Sequence, residues 1–184
     1  MGTIYFDSDF LITFLKPSKN YFYLVQAVCK GYEFIIPQEV YTELLKRRTD
    51  SITSKVDTLE QKQIVKKYAM KSDEIAAVIK YMLQNPRPKC KVMGPGEAAA
   101  IALCQANNGI LASNNMRDVS LYTELQGIRH ITSARLLVHA YETKIIENIE
   151  KAEFIWADII GSGRNMPTDT FEEFYHFNEL WPLE

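Results

Sequence analysis

Four carboxylates carry the chemical promise of this sequence. Asp7 ends the apolar run Thr3-Ile4-Tyr5-Phe6, Glu43 lies in IIPQEVYTELL, Glu97 opens GPGEAAAIALC, and Asp118 closes ILASNNMRD. Each stands beside an apolar run of the kind that becomes a buried element, so folding would carry all four inward. Acids gathered within a few ångströms repel and raise one another's pKa. A hard divalent cation relieves that repulsion, and Mg2+ or Mn2+ prefers carboxylate and water oxygens as ligands. The reaction best served by such a site is phosphodiester hydrolysis, in which the cation orients the phosphate, acidifies water and neutralises the leaving oxygen.

Polar neighbours extend the set. Ser8 and Ser113 can hydrogen-bond the carboxylates, while Asn115 and Arg117 are placed to meet a phosphate or water. Asn115 and Asp118 are three residues apart, which puts them on one face of a helix. Lys46-Arg47-Arg48, with Lys66, Lys67, Lys71 and Arg117, could form a track for a nucleic-acid backbone. Plainer roles exist for each acid. Asp7 could cap a helix, Glu43 could pair with Arg47 at i,i+4, Glu97 could offset a helix dipole, and Asp118 could face solvent. His130, His139 and His176 are dispersed, fit no metal-ligand spacing, and receive no chemistry.

The elements that must position these residues alternate between strand and helix. Strands are expected at about 3–7, 33–36, 110–113 and 129–131. Helices are expected after Asp7 to Pro17, at 20–30 up to Gly31, at 38–48, as a pair within 52–84, at 97–106, at 115–125 and over 134–160. Pro37 can open the helix that carries Glu43. Five alanines between Ala98 and Ala106 make that helix slim enough for close approach. The alternation predicts an α/β/α sandwich around a mostly parallel sheet of four or five strands. Sites in such sheets form beyond the carboxyl ends of the strands, where Asp7 and Ser113 to Asp118 fall. Residues 1–142 are expected to form the catalytic domain, with 143–184 as a helix and aromatic tail packed on it. That tail (Phe171, Phe174, Tyr175, Phe177, Trp181) reads as a strap on the core or as a partner surface.

At 184 residues the chain can bury a substantial core. No apolar stretch approaches the roughly 20 residues that cross a bilayer, and no secretory signal opens the chain, so a cytoplasmic location without membrane contact is expected. Cys29, Cys90 and Cys104 are odd in number and widely spaced, which argues against disulfides and a thiolate zinc site. The net charge of −2 neither announces nor excludes a nucleic-acid partner.

The ordered segments FDSDFLITFL, IIPQEVYTELL and GPGEAAAIALCQANNGILASNNMRD resemble the PIN-domain nucleases over roughly residues 3–140. The likeness is nearest to small prokaryotic PIN proteins, including toxins of the VapC type. It implies a Mg2+- or Mn2+-dependent ribonuclease in which Asp7, Glu97 and Asp118 hold the metal and Glu43 joins them or orients the attacking water. It also implies RNA as substrate, an antitoxin partner and a homodimer. One departure stands out: many members carry an acid directly after the strand, where this chain has Asn114-Asn115 and reaches Asp118 one turn later. Two other readings remain at this point. One is a non-catalytic PIN-like module that binds RNA or protein. The other is a phosphatase of haloacid-dehalogenase type, suggested by Asp7-Ser8-Asp9.

Overall fold

A computed structural model describes residues 2–46, 50–83, 93–115 and 127–180. Five strands form one sheet: β1 (Thr3–Phe6), β2 (Glu33–Pro37), β3 (Lys66–Tyr68), β4 (Ile110–Ala112) and β5 (Arg129–Ile131). Their order is β3-β2-β1-β4-β5, and every pairing is parallel. Parallel strands need helical crossovers on their faces, so the central ones are covered on both sides and read as unbroken apolar runs. Ile4, Tyr5 and Phe6 of β1, and Phe34, Ile35 and Ile36 of β2, are buried accordingly. The outer strands β3 and β5 are three residues long and start with exposed Lys66 and Arg129. Short, charged edges discourage pairing with another chain.

Nine helices occur among the described residues. They are α1 (Ser8–Leu15), α2 (Phe22–Val28), α3 (Gln38–Lys46), α4 (Asp50–Gln61), α5 (Ser72–Leu83), α6 (Pro95–Asn107), α7 (Ser133–Glu142), α8 (Ile149–Gly161) and α9 (Phe171–Leu180). The alanine-rich α6 is the pivot. Gly94 caps it, Pro95 begins it, and Asn108 ends it in the left-handed region at φ 50°. Its residues from Gly96 to Cys104 are all buried, against α3 and α5 and over β1, β2 and β4. The small side chains at Gly96, Ala98, Ala99, Ala100 and Ala102 permit that close enclosure without overpacking.

The chain divides into two compact units. One holds the segment up to Ile12 and Gly31–Ile131, with the whole sheet and α3 to α6. Its core gathers Tyr5, Ile35, Val78, Leu111 and the α6 face. The second holds Thr13–Lys30 and the chain from Thr132 onward. Within it, Trp156 of α8 meets Phe171 of α9 edge-on and packs against a tilted Phe174, and Tyr141 of α7 meets Phe171 and Tyr175. The Glu153 carboxylate accepts the N–H groups of Phe171 and Glu172 at 3.0 and 2.7 Å, capping α9 from 18 residues upstream. Residues 171–180 are therefore a packed helix whose inner aromatics are strapped down, with Phe177 left exposed.

Three expectations need correction. The helical pair within 52–84 is interrupted by β3, which has no apolar period because it is a short, half-exposed edge. Gln63 at φ 57° turns the chain out of α4 toward it. The span 134–160 is two helices, parted where Lys144 adopts φ 61° and Asn148 caps α8 through Lys151 N–H. The tail after residue 163, without a period to the eye, contains α9, whose start is capped locally by Thr170 and Glu173 and from a distance by Glu153. The helix expected at 115–125 lies outside the described residues except at Asn115. No described helix is long and apolar enough to cross a membrane.

Candidate active site

Strand register brings the first two site residues together. Phe6 lies opposite Ala112 in the β1–β4 pair, and the N–H of Asp7 donates to Ala112 O at 2.9 Å. The next residues on each strand, Asp7 and Ser113, emerge side by side at the carboxyl edge. Ser113 Oγ donates to Asp7 Oδ2 at 3.1 Å, and both residues are buried. Because α1 starts immediately, Ser8 N–H closes on Asp7 Oδ1 at 2.6 Å. The Ser8 hydroxyl stands 3.4 Å from Asp7 Oδ1 and 3.2 Å from Glu43 Oε2. With one hydrogen, it donates to one of the two at a time.

Glu43 reaches the site from α3 because its helix follows β2 directly. Its Oε1 accepts the backbone N–H of Gly96 at 2.9 Å. That contact explains two glycines in GPGE: a Cβ on Gly96 would sit 2.9 Å from the carboxyl carbon, and one on Gly94 would sit 3.1 Å from Oε1. Glu97, one residue on, is 7% exposed and accepts from Asn115 Nδ2 at 2.8 Å. Asn115 also donates its backbone N–H to Ser113 Oγ at 3.1 Å. A closed circuit results, running Asp7, Ser8, Glu43, Gly96, Glu97, Asn115, Ser113 and back to Asp7.

The electrostatics match this enclosure. The Asp7 carboxyl is pushed up to about 6, first by burial and then by the negative charge of Asp9, with Glu43 adding to it. The hydrogen bonds from Ser113 and Ser8 pull the other way without overcoming burial. Among the described residues no ion pair engages Asp7 or Glu43. The donors that meet them are neutral hydroxyls and amides. One further acid on α3, Glu39, has a buried Oε2 without a hydrogen-bond partner among the described residues.

Five expected site residues are thus brought together: Asp7, Glu43, Glu97, Ser113 and Asn115. Arg117 and Asp118 lie outside the described residues, as do Arg47 and Arg48 of the basic run. Lys66 is tied to Glu33, and Lys67 to Asp57 and Glu60 at 2.9 and 2.8 Å, beneath which lies the Tyr41 ring. Two roles escaped sequence reasoning. Gly96 serves through its backbone N–H and its missing side chain. His130 places Nε2 at 2.8 Å from Ser113 O across 17 residues, a separation that no motif signals.

The donor set suits a hard divalent cation. It is all oxygen, buried at Asp7 and Glu97 and half-buried at Glu43, in excess of negative charge, and Asp7 resists ionising without a compensating positive charge. Among the described residues no three His, Cys, Asp or Glu side chains are arranged as a finished metal cage. The three acids are joined through serine, glycine and asparagine donors instead. Asp7, Glu43 and Glu97 are the described residues that could hold the ion.

The parallel β3-β2-β1-β4-β5 sheet flanked by helices is an α/β sandwich. A family model described as a PIN domain matches residues 4–174, nearly the whole chain. The chain belongs to the PIN-domain family, whose members are in general nucleases that bind nucleic acid and use divalent metals. A search of curated proteins found no match to it.

Proposed function

We propose that this chain is a Mg2+- or Mn2+-dependent ribonuclease that hydrolyses phosphodiester bonds in RNA. The observation that supports it is the circuit joining Asp7, Glu43 and Glu97 at the carboxyl edge of the sheet, with Asp7 buried and its carboxyl raised to about 6. In this reading Asp7, Glu97 and Asp118 hold the cation, and Glu43 joins them or orients water. When bound, the cation supplies concentrated positive charge for the phosphate oxygens and lowers the pKa of water. The chain's own residues hold the carboxylates: Ser8 and Ser113 fix both oxygens of Asp7, Gly96 fixes Glu43, and Asn115 fixes Glu97. Ser113, Asn115 and Arg117 form the substrate side of the site. The likeness to VapC-type toxins extends the reading to a cytoplasmic toxin, homodimeric and restrained by an antitoxin.

A second reading, a PIN module that binds RNA or protein without cutting, is motivated by Asn114-Asn115 standing where many members carry an acid and by the net charge of −2. One experiment separates the two. Purified protein is incubated with a mixed RNA substrate in Mg2+ or Mn2+, with EDTA, and as Asp7→Asn and Glu97→Gln variants. Metal-dependent cleavage lost in both variants is expected. Cleavage that survives EDTA or both substitutions sinks the nuclease proposal, and RNA binding without cleavage supports the second reading. A small phosphate ester should remain intact throughout.

A further inference from the structure

Ser113 is where β4 lets go of the sheet. Its N–H still donates to Ile131 O at 3.2 Å, but the strand ends at Ala112. The residue has no solvent exposure, so its carbonyl must find a donor within the protein. Among the described residues that donor is His130 Nε2, at 2.8 Å. A carbonyl oxygen only accepts, so the ring nitrogen carries the hydrogen, and the bond selects the Nε2–H tautomer of a neutral imidazole. Burial keeps His130 below the usual histidine range, consistent with a neutral ring. The β4–β5 register sets His130 opposite Leu111, two residues before Ser113 and on the same face of β4.

What hangs on this peptide is most of the candidate site. Ser113 Oγ donates to Asp7 Oδ2 and accepts from Asn115 N–H, while Asn115 Nδ2 holds Glu97 Oε1. If the Ser113 carbonyl rotates about its Cα–C bond, the next peptide turns with it, and Asn115 is carried off both Ser113 Oγ and Glu97. We propose that His130 is a positioning residue of this site, acting through the Ser113 carbonyl to place the turn that carries Asn115, which braces Glu97 and whose N–H steadies the Ser113 hydroxyl that holds Asp7. The inference rests on the metal-site reading above. Outer partners of metal-binding groups ordinarily fix ligand orientation in this way.

The test is direct Mn2+ binding to the full chain, by calorimetry or the free Mn2+ spin signal, alongside thermal midpoints and amide exchange at Asn115 without metal. His130→Phe keeps a ring and loses the donor. It should weaken Mn2+ binding by about tenfold, the low end for outer-shell partners, and speed exchange at Asn115. His130→Gln carries an amide nitrogen about as far from the backbone as Nε2. It should recover binding to within about threefold of the unmodified chain. His130→Asn, with a shorter stem, should fail as the Phe variant does, and it replaces that variant if the latter does not fold. A donor-less variant that binds Mn2+ as tightly as the unmodified chain overturns the proposal, even if its midpoint falls. So does a Gln variant as weak as the donor-less ones. An unmodified chain that binds no Mn2+ overturns the metal-site reading itself, which is a distinct result seen before any substitution.

Discussion

The backbone N–H of Gly96 grips the Glu43 carboxylate at 2.9 Å, and a methyl group on Gly96 would lie within 3.0 Å of three atoms of that carboxyl group. The glycine is needed here for space, since its φ lies outside the left-handed region. Gly96→Ala should therefore cost about 1–3 kcal/mol of stability, the usual range for overpacking. Its effect on Mn2+-dependent cleavage should be larger, because Glu43 itself must move. Gly94→Ala, whose Cβ meets only Oε1 at 3.1 Å, should be milder in both respects. Cleavage rates and thermal midpoints of the two variants check this. Equal activity for both would detach Glu43 from the chemistry.

Asp7 predicts a specific pH dependence for the metal-free protein. Its carboxyl rises from 3.8 to about 6 on folding, mainly by burial. An acid whose pKa rises on folding stabilises the fold while protonated. That contribution is complete below about pH 4 and disappears as pH climbs through 6, with a full range on the order of 3 kcal/mol. Asp7→Asn stays neutral throughout. In EDTA the variant should melt above the unmodified chain at pH 7 to 8, and the two curves should meet below pH 4. A gap that does not widen across this window would show that Asp7 is better solvated than its surroundings indicate.

Asn115 and Glu97 give a charge test. Asn115→Asp replaces the 2.8 Å donor with a carboxylate facing a carboxylate. Without metal, the thermal midpoint at pH 7 should fall by several degrees, corresponding to about 1–3 kcal/mol for a lost charged hydrogen bond. Added Mn2+ should then raise the midpoint more in the variant than in the unmodified chain, because the cation answers the added charge. Equal rises would place the ion away from this pair.

The C-terminal helix depends on Glu153. Its carboxylate satisfies two of the four unpaired N–H groups at the start of α9. Glu153→Ala should lose about 1 kcal/mol, as for a lost N-cap, read as a shift in the urea midpoint. Glu153→Gln, which keeps one acceptor oxygen, should lose less.

Much of this was legible in the chain itself. The apolar runs ending in Asp7 and Ser113 announced parallel strands whose carboxyl ends carry polar groups. GPGE before a run of alanines announced a helix start meant for close approach. The sequence was mute where the cause is distant. Strand β3 exists because Ile35, Ile36 and Pro37 offer it an edge to pair with, while Lys66-Lys67-Tyr68 alone shows no period. At α9 the chain does carry a local start signal, Thr170 with Glu173 three residues on, while the second cap, Glu153, comes from another helix and leaves no local mark.

The site divides along the same line. Residue types and order determined which acids are available and the class of cation they suit, because carboxylate chemistry is a local property. Only the tertiary structure decided how they are held. The Phe6–Ala112 register sets Asp7 beside Ser113, the missing Gly96 side chain admits Glu43, and His130 reaches the Ser113 carbonyl across 17 residues. Hydrogen bonds act over about 3 Å regardless of separation along the chain. That is why Asp7 could be recognised from its neighbours in sequence, and its supports could be found only among its neighbours in space.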